Sequence, residues 1–338
     1  MQIKKAAKKQ IFKISTLISS VILAIIILTN AIFLGIMEIM GDAYADFTAN
    51  VLDEMSFSLI VQDIIMVVGL LVYCKIMKVN LKAHFAKPQM KKSEIFALII
   101  MATGLGQLTS IITNLLMTLI TLITDFEIGS VSFVAERNLL SVIVVSLAIA
   151  VGAPILEELF FRASFFTPLV PHGRAFAIIV TAVLFGLYHM NVPRIPAAIV
   201  WGLFFGYISL ESRSIIPAIL GHVFNNSFGA LQYAIMGNLD LDRIASGDTE
   251  YMLGNLGRFI PLACISFCIY GIIFAAIILF IIRLAKRGKN AFRITGSEQE
   301  NTVLTKGEAF GAYFINPVTI ILMLVVIGMT IFTIIGIR

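Results

Sequence analysis

The sequence predicts an all-α membrane protein, a polytopic bundle of about nine transmembrane helices, or eight if one run does not cross. Of the 338 residues, 59% are hydrophobic and only 13% are charged, and the mean hydropathy is +0.97. Soluble domains carry roughly 45–50% apolar and about 25% charged residues. A span needs roughly 20 consecutive, mostly apolar residues, and the chain has nine runs that approach or exceed this length.

The apolar runs define the predicted helices in chain order. They cover 14–37, 57–77, 94–124, 138–169, 175–190, 196–210, 215–236, 259–283 and 313–336. The first run follows five lysines but is too long for the apolar part of a signal peptide, about 7–15 residues, so we expect an uncleaved first span. The third and fourth runs exceed the bilayer thickness and must tilt, bend or project from it. Pro154 predicts a kink in the fourth run.

The basic residues predict the orientation of the bundle. Alternate loops hold 20 of the 25 lysines and arginines, and the opposite loops are acidic. The basic positions are five at 4–13, six at 75–92, six at 283–306, and Arg162, Arg174 and Arg213 in short turns. The positive-inside rule then places the N-terminus in the cytoplasm and Arg338 outside, in a multi-pass protein of the cell membrane. Cytoplasmic loops thus account for the net charge of +5, and we expect a lipid bilayer, and no nucleic acid, as partner.

Ionisable residues inside apolar runs are costly and therefore suggest functional sites. They fall in four places. These are Asp63, the group Glu157, Glu158 and Arg162, then His189, and the pair His222 and Asn226. Asp63 is either a polar packing residue or part of the site.

Helix geometry orients the side chains within each cluster. Glu158 and Arg162 are four residues apart, so they share a face and predict an internal ion pair. Glu157 lies about 100° further round the helix and can face another group. His222 and Asn226 also share a face, whereas Asn225 is expected to point elsewhere. Taken alone, each cluster is also compatible with neutralisation at a helix end or with hydrogen bonds between helices.

The three later clusters can meet at one depth. Glu157 lies 13 residues before the turn at Val170–Gly173, and His189 lies 16 residues after it. These separations correspond to roughly 20 Å and 24 Å along a helix. His222 and Asn226 are expected roughly 5–10 Å below His189, an offset that helix tilt can absorb. One shared cavity is therefore predicted.

The predicted cavity contains carboxylate, imidazole and carboxamide groups. The chain has no His-Glu-x-x-His zinc motif and no serine nucleophile motif of the intramembrane type. The set suits water activation, with Glu157 as general base and imidazole and amide donors for an oxyanion. Alternatively, Glu157, His189 and His222 bind a divalent metal such as zinc, with the fourth position open.

Three motifs in order resemble a known family. Glu157-Glu158-x-x-x-Arg162, Phe185-x-x-x-His189 and His222-x-x-x-Asn226 resemble those of the CAAX prenyl protease/bacteriocin-processing (CPBP, or ABI) family of intramembrane proteases, over roughly 138–232. The resemblance implies that Glu157 activates water, that His189 assists it, and that His222 and Asn226 form an oxyanion hole. It also implies that Glu158 and Arg162 support the site. Both a metal-dependent and a metal-free mechanism have been considered for the family. We favour the metal-free mechanism without a cofactor, because a His-x-x-x-Asn pair suits an oxyanion hole better than a third metal ligand.

The resemblance also implies a function and a division of the chain. The expected activity is intramembrane hydrolysis of a peptide bond in a membrane-associated or lipidated peptide or protein, and bacteriocin processing is linked to bacterial members. Residues 1–137 would be accessory helices, 138–236 the protease core, and 237–338 an external loop with the C-terminal helices. A multi-span transporter or a non-catalytic bacteriocin-immunity protein is the alternative. The sequence shows no duplicated halves of the kind that many transporters have.

Overall fold

The protein is helical wherever its structure is described. A computed structural model describes residues 1–124, 139–236, 239–295 and 302–335, and every regular element in these ranges is a helix. The α-helices are α1 (Gln2–Met40), α2 (Asp42–Asn50), α3 (Glu54–Met77), α4 (Lys92–Thr124), α5 (Leu139–Leu147), α6 (Ala153–Glu158), α7 (Arg174–Tyr188), α8 (Ile195–Ser212), α9 (Ile216–Met236), α10 (Leu241–Ala245), α11 (Thr249–Gly254), α12 (Leu256–Arg287), α13 (Lys306–Phe314) and α14 (Pro317–Ile335). The all-α prediction is confirmed. The predicted loop around Asp125 and Glu127, and the C-terminal Arg338, lie outside the described residues.

The predicted nine spans are approximate. Six helical segments of the described chain are long and apolar enough to cross a membrane: α1, α3, α4, Leu139–Ser164, α8 and α12. The pair α13–α14, bent by 68°, can form a seventh. α7 has only 15 residues, about 22 Å of helix against a hydrocarbon core of about 30 Å. α9, which carries the polar residues of the candidate site, is not among the six. These helices indicate a multi-pass membrane protein.

The fourth apolar run contains two widened turns. π turns at Ala148–Gly152 and Leu159–Ser164 flank α6, and Pro154 lies in the first turn of α6. Proline has no N–H and its ring collides with the carbonyl group four residues earlier in a regular α-helix. The backbone N–H of Ala153 therefore bonds to the carbonyl of Ala148, five residues back. The distortion predicted at Pro154 takes this form, and the helix continues through it.

Small residues bring the central helices close together. A Cβ atom at Gly202 of α8 would lie 2.8 Å from the Cα of Ala182 in α7, and one at Gly106 of α4 would overlap the indole of Trp201. Such close approaches are typical of membrane helices, which associate through packing of small residues. α4, α7 and α8 therefore form a tight frame beside α9 and the fourth run.

The basic segments meet at one end of the bundle. Lys4 and Lys8 of α1 form ion pairs with Glu308 at the start of α13, at 3.2 Å and 3.3 Å. Arg283 near the end of α12 pairs with Glu94 at the start of α4, at 3.1 Å. The predicted orientation places the starts of α1, α4 and α13 and the end of α12 on the same side of the membrane. The ion pairs agree with this placement.

Candidate active site

A buried ion pair lies in the second half of the fourth run. The Nη1 atom of Arg162 is 3.1 Å from the Oε1 atom of Glu158, and neither side chain is exposed. The predicted pair is thus confirmed, whereas the assignment of Arg162 to a short turn is wrong, because Arg162 is buried within the second π turn. The guanidinium also lies 4.5 Å from the centre of the Phe185 ring, a cation–π arrangement. A buried charge that loses its counter-ion is strongly destabilising, so Glu158 and Arg162 depend on each other.

His222 of α9 lies between the two glutamates. Its Nδ1 atom is 2.9 Å from Glu158 Oε1, and its Nε2 atom is 3.5 Å from Glu157 Oε2. An ionised carboxylate only accepts hydrogen bonds, so the Nδ1–H of His222 donates to Glu158. The imidazole stacks on Phe205 with ring centres 5.3 Å apart. These contacts fix the ring so that Nε2 faces Glu157.

The charges of this buried cluster balance with one additional proton. Glu157 and Glu158 carry two negative charges against the positive charge of Arg162, and Asp63 and Arg194, which both interact electrostatically with Glu157, add one formal charge of each sign. Glu157 is 8% exposed and His222 is 2% exposed, and an uncompensated charge at such a position is expensive. A proton on either His222 or Glu157 makes the four groups neutral. The sequence alone shows two adjacent glutamates against one arginine, and the structure adds His222 beside both carboxylates.

A chain of side-chain amides holds Asn226. Its Nδ2 atom donates to the carbonyl of Ile149 at 3.1 Å, and its Oδ1 atom accepts from Asn225 at 3.1 Å. Gln107 donates in turn to Asn225 Oδ1 at 3.2 Å. Because a carbonyl only accepts, it sets the orientation of all three amides. Ile149 lies in the first π turn, where a carbonyl group faces the backbone nitrogen five residues later. For Ile149 that nitrogen belongs to Pro154, which has no hydrogen to donate. Asn226 supplies that hydrogen bond and retains a second N–H.

Two members of the amide chain were not predicted as site residues. Asn225 was expected to point away from Asn226, but it is 3% exposed and reaches sideways to the neighbouring amide. Gln107 lies in α4, outside the sequence motifs. The signal for Gln107 in the sequence is an amide, not an ionisable group, within the apolar run 94–124.

His189 adjoins the cluster through an aromatic ring. It follows the last residue of α7, and its Nδ1–H donates to the carbonyl of Phe185 at 2.9 Å. The centre of the Phe185 ring lies 4.9 Å from the centre of the His189 ring and 5.7 Å from that of His222. The structure therefore brings the three predicted clusters together. In its neutral form His189 presents a bare Nε2 atom, because Nδ1 holds the hydrogen.

Asp63 of α3 lies beside the site. Its Oδ2 atom is 3.3 Å from the position that a Cβ atom would take on Gly152 in the first π turn. The carboxylate also interacts electrostatically with Glu157 and with Tyr188. Of the two roles left open by the sequence, the position of Asp63 favours membership of the site.

The alternative set of metal ligands is Glu157, His189 and His222. Within the described ranges, no group of three His, Cys, Asp or Glu residues stands out as a ready-made metal site. The metal-dependent alternative stays a prediction. His222 uses one ring nitrogen for Glu158 and turns the other toward Glu157.

The chain is similar to one family of proteases. Residues 139–228 match the family described as Type II CAAX prenyl endopeptidase Rce1-like, which confirms the resemblance predicted from the three motifs. The matched segment contains all six predicted site residues and lies within the predicted core at 138–236. No curated protein and no solved structure matches the chain. The family match supports an intramembrane peptidase of this type.

Proposed function

We propose that the protein hydrolyses a peptide bond in a membrane-associated or lipidated peptide or protein, with water activated by Glu157. The observation that carries this proposal is the position of His222, between Glu157 and the Glu158–Arg162 pair. A carboxylate and an imidazole that face each other in a buried, nearly neutral cluster can exchange a proton without creating a net charge.

The charge balance links the two catalytic roles. Glu157 can accept a proton from water only when it is ionised. The additional proton of the cluster then belongs to His222, and its Nε2 atom becomes an N–H donor. Glu158 holds the ring through Nδ1. The state in which Glu157 is a base is therefore the state in which His222 can stabilise an oxyanion.

The proposed reaction has two steps. The water oxygen bonds to the carbonyl carbon while Glu157 takes one water proton, and His189 Nε2 orients the water by accepting its other hydrogen. The carbonyl oxygen becomes negative and accepts hydrogen bonds from His222 Nε2–H and from the second N–H of Asn226. The C–N bond then breaks, and Glu157 returns its proton to the leaving amine. The products are a carboxylic acid and an amine.

The surrounding chain is given supporting roles. We propose that residues 1–137 and 237–338 are accessory regions around the core at 138–236. We also propose that the N-terminus is cytoplasmic. We further propose that the reaction needs no metal, because His222 uses Nδ1 for Glu158 and turns Nε2 toward Glu157.

The test is hydrolysis by purified protein in lipid nanodiscs. The substrates are a farnesylated peptide that ends in Cys-aliphatic-aliphatic-Met and the same peptide without the farnesyl group. General base catalysis contributes about 10²–10⁴-fold, and Glu157→Gln removes the base while keeping its size, so we expect no detectable cleavage. The control Glu38→Gln changes an exposed carboxylate of α1 and should cleave as the wild type does. Wild-type rates in folded Glu157→Gln protein would refute the mechanism and favour a transporter.

A further inference from the structure

A cavity of about 280 Å³ adjoins the candidate active site. It lies between α1, α3, α14 and the residues at the end of α7. Among its lining residues are Ile26, Thr29, Phe33, Gln62, Tyr188 and Met190. Only the last two belong to the segment that matches the protease family, so the accessory helices supply most of the wall.

The cavity shares a wall with the site. Tyr188 and Met190 line it, and they are the neighbours of His189 in the chain. Tyr188 also interacts electrostatically with Glu157 and Asp63. Gln62 of α3, which precedes Asp63, lines the cavity as well. A molecule in this cavity therefore contacts the residues on either side of His189 and the residue before Asp63.

The cavity contains polar groups that need hydrogen-bond partners. Thr29 Oγ1 is buried and has no hydrogen-bond partner in the part of the chain that the structure describes. The carboxamide of Gln62 and the phenol of Tyr188 line the same space. Asn30 donates its Nδ2 to the carbonyl of Ile26, so its Oδ1 can accept from a ligand. Buried polar groups are normally hydrogen-bonded. A ligand that both donates and accepts hydrogen bonds would satisfy these groups.

The chemistry of these groups distinguishes between two parts of a lipidated substrate. An isoprenoid or acyl chain offers no hydrogen bonds to Thr29 or Gln62. An extended peptide offers an N–H and a C=O at each residue, with a rise of about 3.3 Å per residue. Phe33 and Met190 provide apolar surface for the side chains between them.

We propose that this cavity binds the extended main chain of the substrate next to the scissile bond, with Thr29 and Gln62 as hydrogen-bonding partners. The proposal rests on the peptidase function proposed above. The cavity involves the last third of α1 and the first half of α3, at the end of the bundle away from Lys4, Lys8 and Glu308. The peptide therefore approaches the site from the end where α1 finishes and α3 begins.

Photo-crosslinking tests the proposal without requiring cleavage. p-Benzoylphenylalanine is placed at Gln62, or at Val68 of the same helix as a control, because Val68 is exposed on the outside of the bundle. The probe is the biotinylated farnesylated peptide, with its farnesyl-free form as the second arm. We expect the Gln62 position, and not Val68, to crosslink to backbone or side-chain atoms of the peptide in both arms. Crosslinks from position 62 only to the farnesyl group or to lipid, or equal labelling at both positions, would overturn the proposal.

Kinetics with the peptide provide a second readout. Thr29→Val removes the hydroxyl at nearly constant volume and should raise KM about three- to tenfold with kcat unchanged. Thr29→Ser keeps the hydroxyl and should restore the wild-type KM. If the peptide crosslinks at position 62 but is never cleaved, the peptidase function fails and the binding site stands. If it is cleaved, with a normal KM in Thr29→Val and no crosslink at position 62, the binding site alone fails.

Discussion

Replacing Glu158 with glutamine should reduce stability and activity together. A single oxygen of Glu158, Oε1, faces both Arg162 Nη1 at 3.1 Å and His222 Nδ1 at 2.9 Å. Glu158→Gln keeps the shape of the side chain and one carbonyl oxygen but removes its negative charge. The change therefore separates the effect of charge from that of packing.

The magnitude follows from the burial of the pair. Arg162 is 1% exposed, and within the described residues its guanidinium makes no hydrogen bond of good geometry, so the charge of Glu158 is its main compensation. Removing one partner of a buried ion pair costs about 3–5 kcal/mol. Since about 1.4 kcal/mol is a factor of ten, the unfolding equilibrium should shift by more than about a hundredfold. Activity should also fall, because His222 loses the anion that orients its ring.

The assay is reversible unfolding in mixed micelles, followed by the fluorescence of Trp201, the single tryptophan. The matched variant is Glu157→Gln, which removes a charge from the same cluster without removing the direct partner of Arg162. It should lose activity and remain nearly as stable as the wild type. Equal stability of Glu158→Gln and wild type, or equal destabilisation of the two variants, would contradict the assigned roles.

Three further results are expected. Asn226→Ala should lower kcat about 10²–10³-fold, the usual effect of losing an oxyanion donor. Asn225→Ala should lower kcat less, because Asn225 only holds Asn226 in place. Equal losses of kcat in a peptide-cleavage assay would argue against these two roles. Activity should survive exhaustive chelation, and recovery of lost activity on adding zinc would restore the metal-dependent alternative. Gly202→Ala should destabilise the bundle by about 1–3 kcal/mol through overpacking against Ala182. Gly229→Ala lies inside α9, where no atom is within 4 Å of the new Cβ, and it should keep or slightly raise the thermal unfolding temperature, because alanine favours a helix interior over glycine.

Interactions within one helix were predictable from spacing. Glu158 and Arg162 are four residues apart, and helix geometry alone brings them together. The apolar runs likewise identified the positions of helices, because a long apolar run in a membrane protein predicts a helix. The number of crossings was less predictable. α7 is short, and the apolar sequence of α9 is interrupted by polar residues such as His222, Asn225 and Asn226. Neither helix therefore has the length and composition of a regular span.

Interactions between helices required the structure. The sequence placed His222 5–10 Å from the level of His189, but in the structure it lies close to both glutamates. The amide chain depends on the π turn at Ala148–Gly152, because that turn leaves the Ile149 carbonyl available to Asn226. Spacing rules assume regular helices and cannot locate such a group.

The amide chain has a consequence for how this protein can be divided. Similarity to the protease family ends at the boundaries of 139–228, whereas the hydrogen bonds of Asn225 continue to Gln107 in α4. A fragment cut at the limits of similarity would leave Asn225 Oδ1 without this donor. A fragment designed to keep the amide chain intact therefore has to extend beyond the matched segment and include α4.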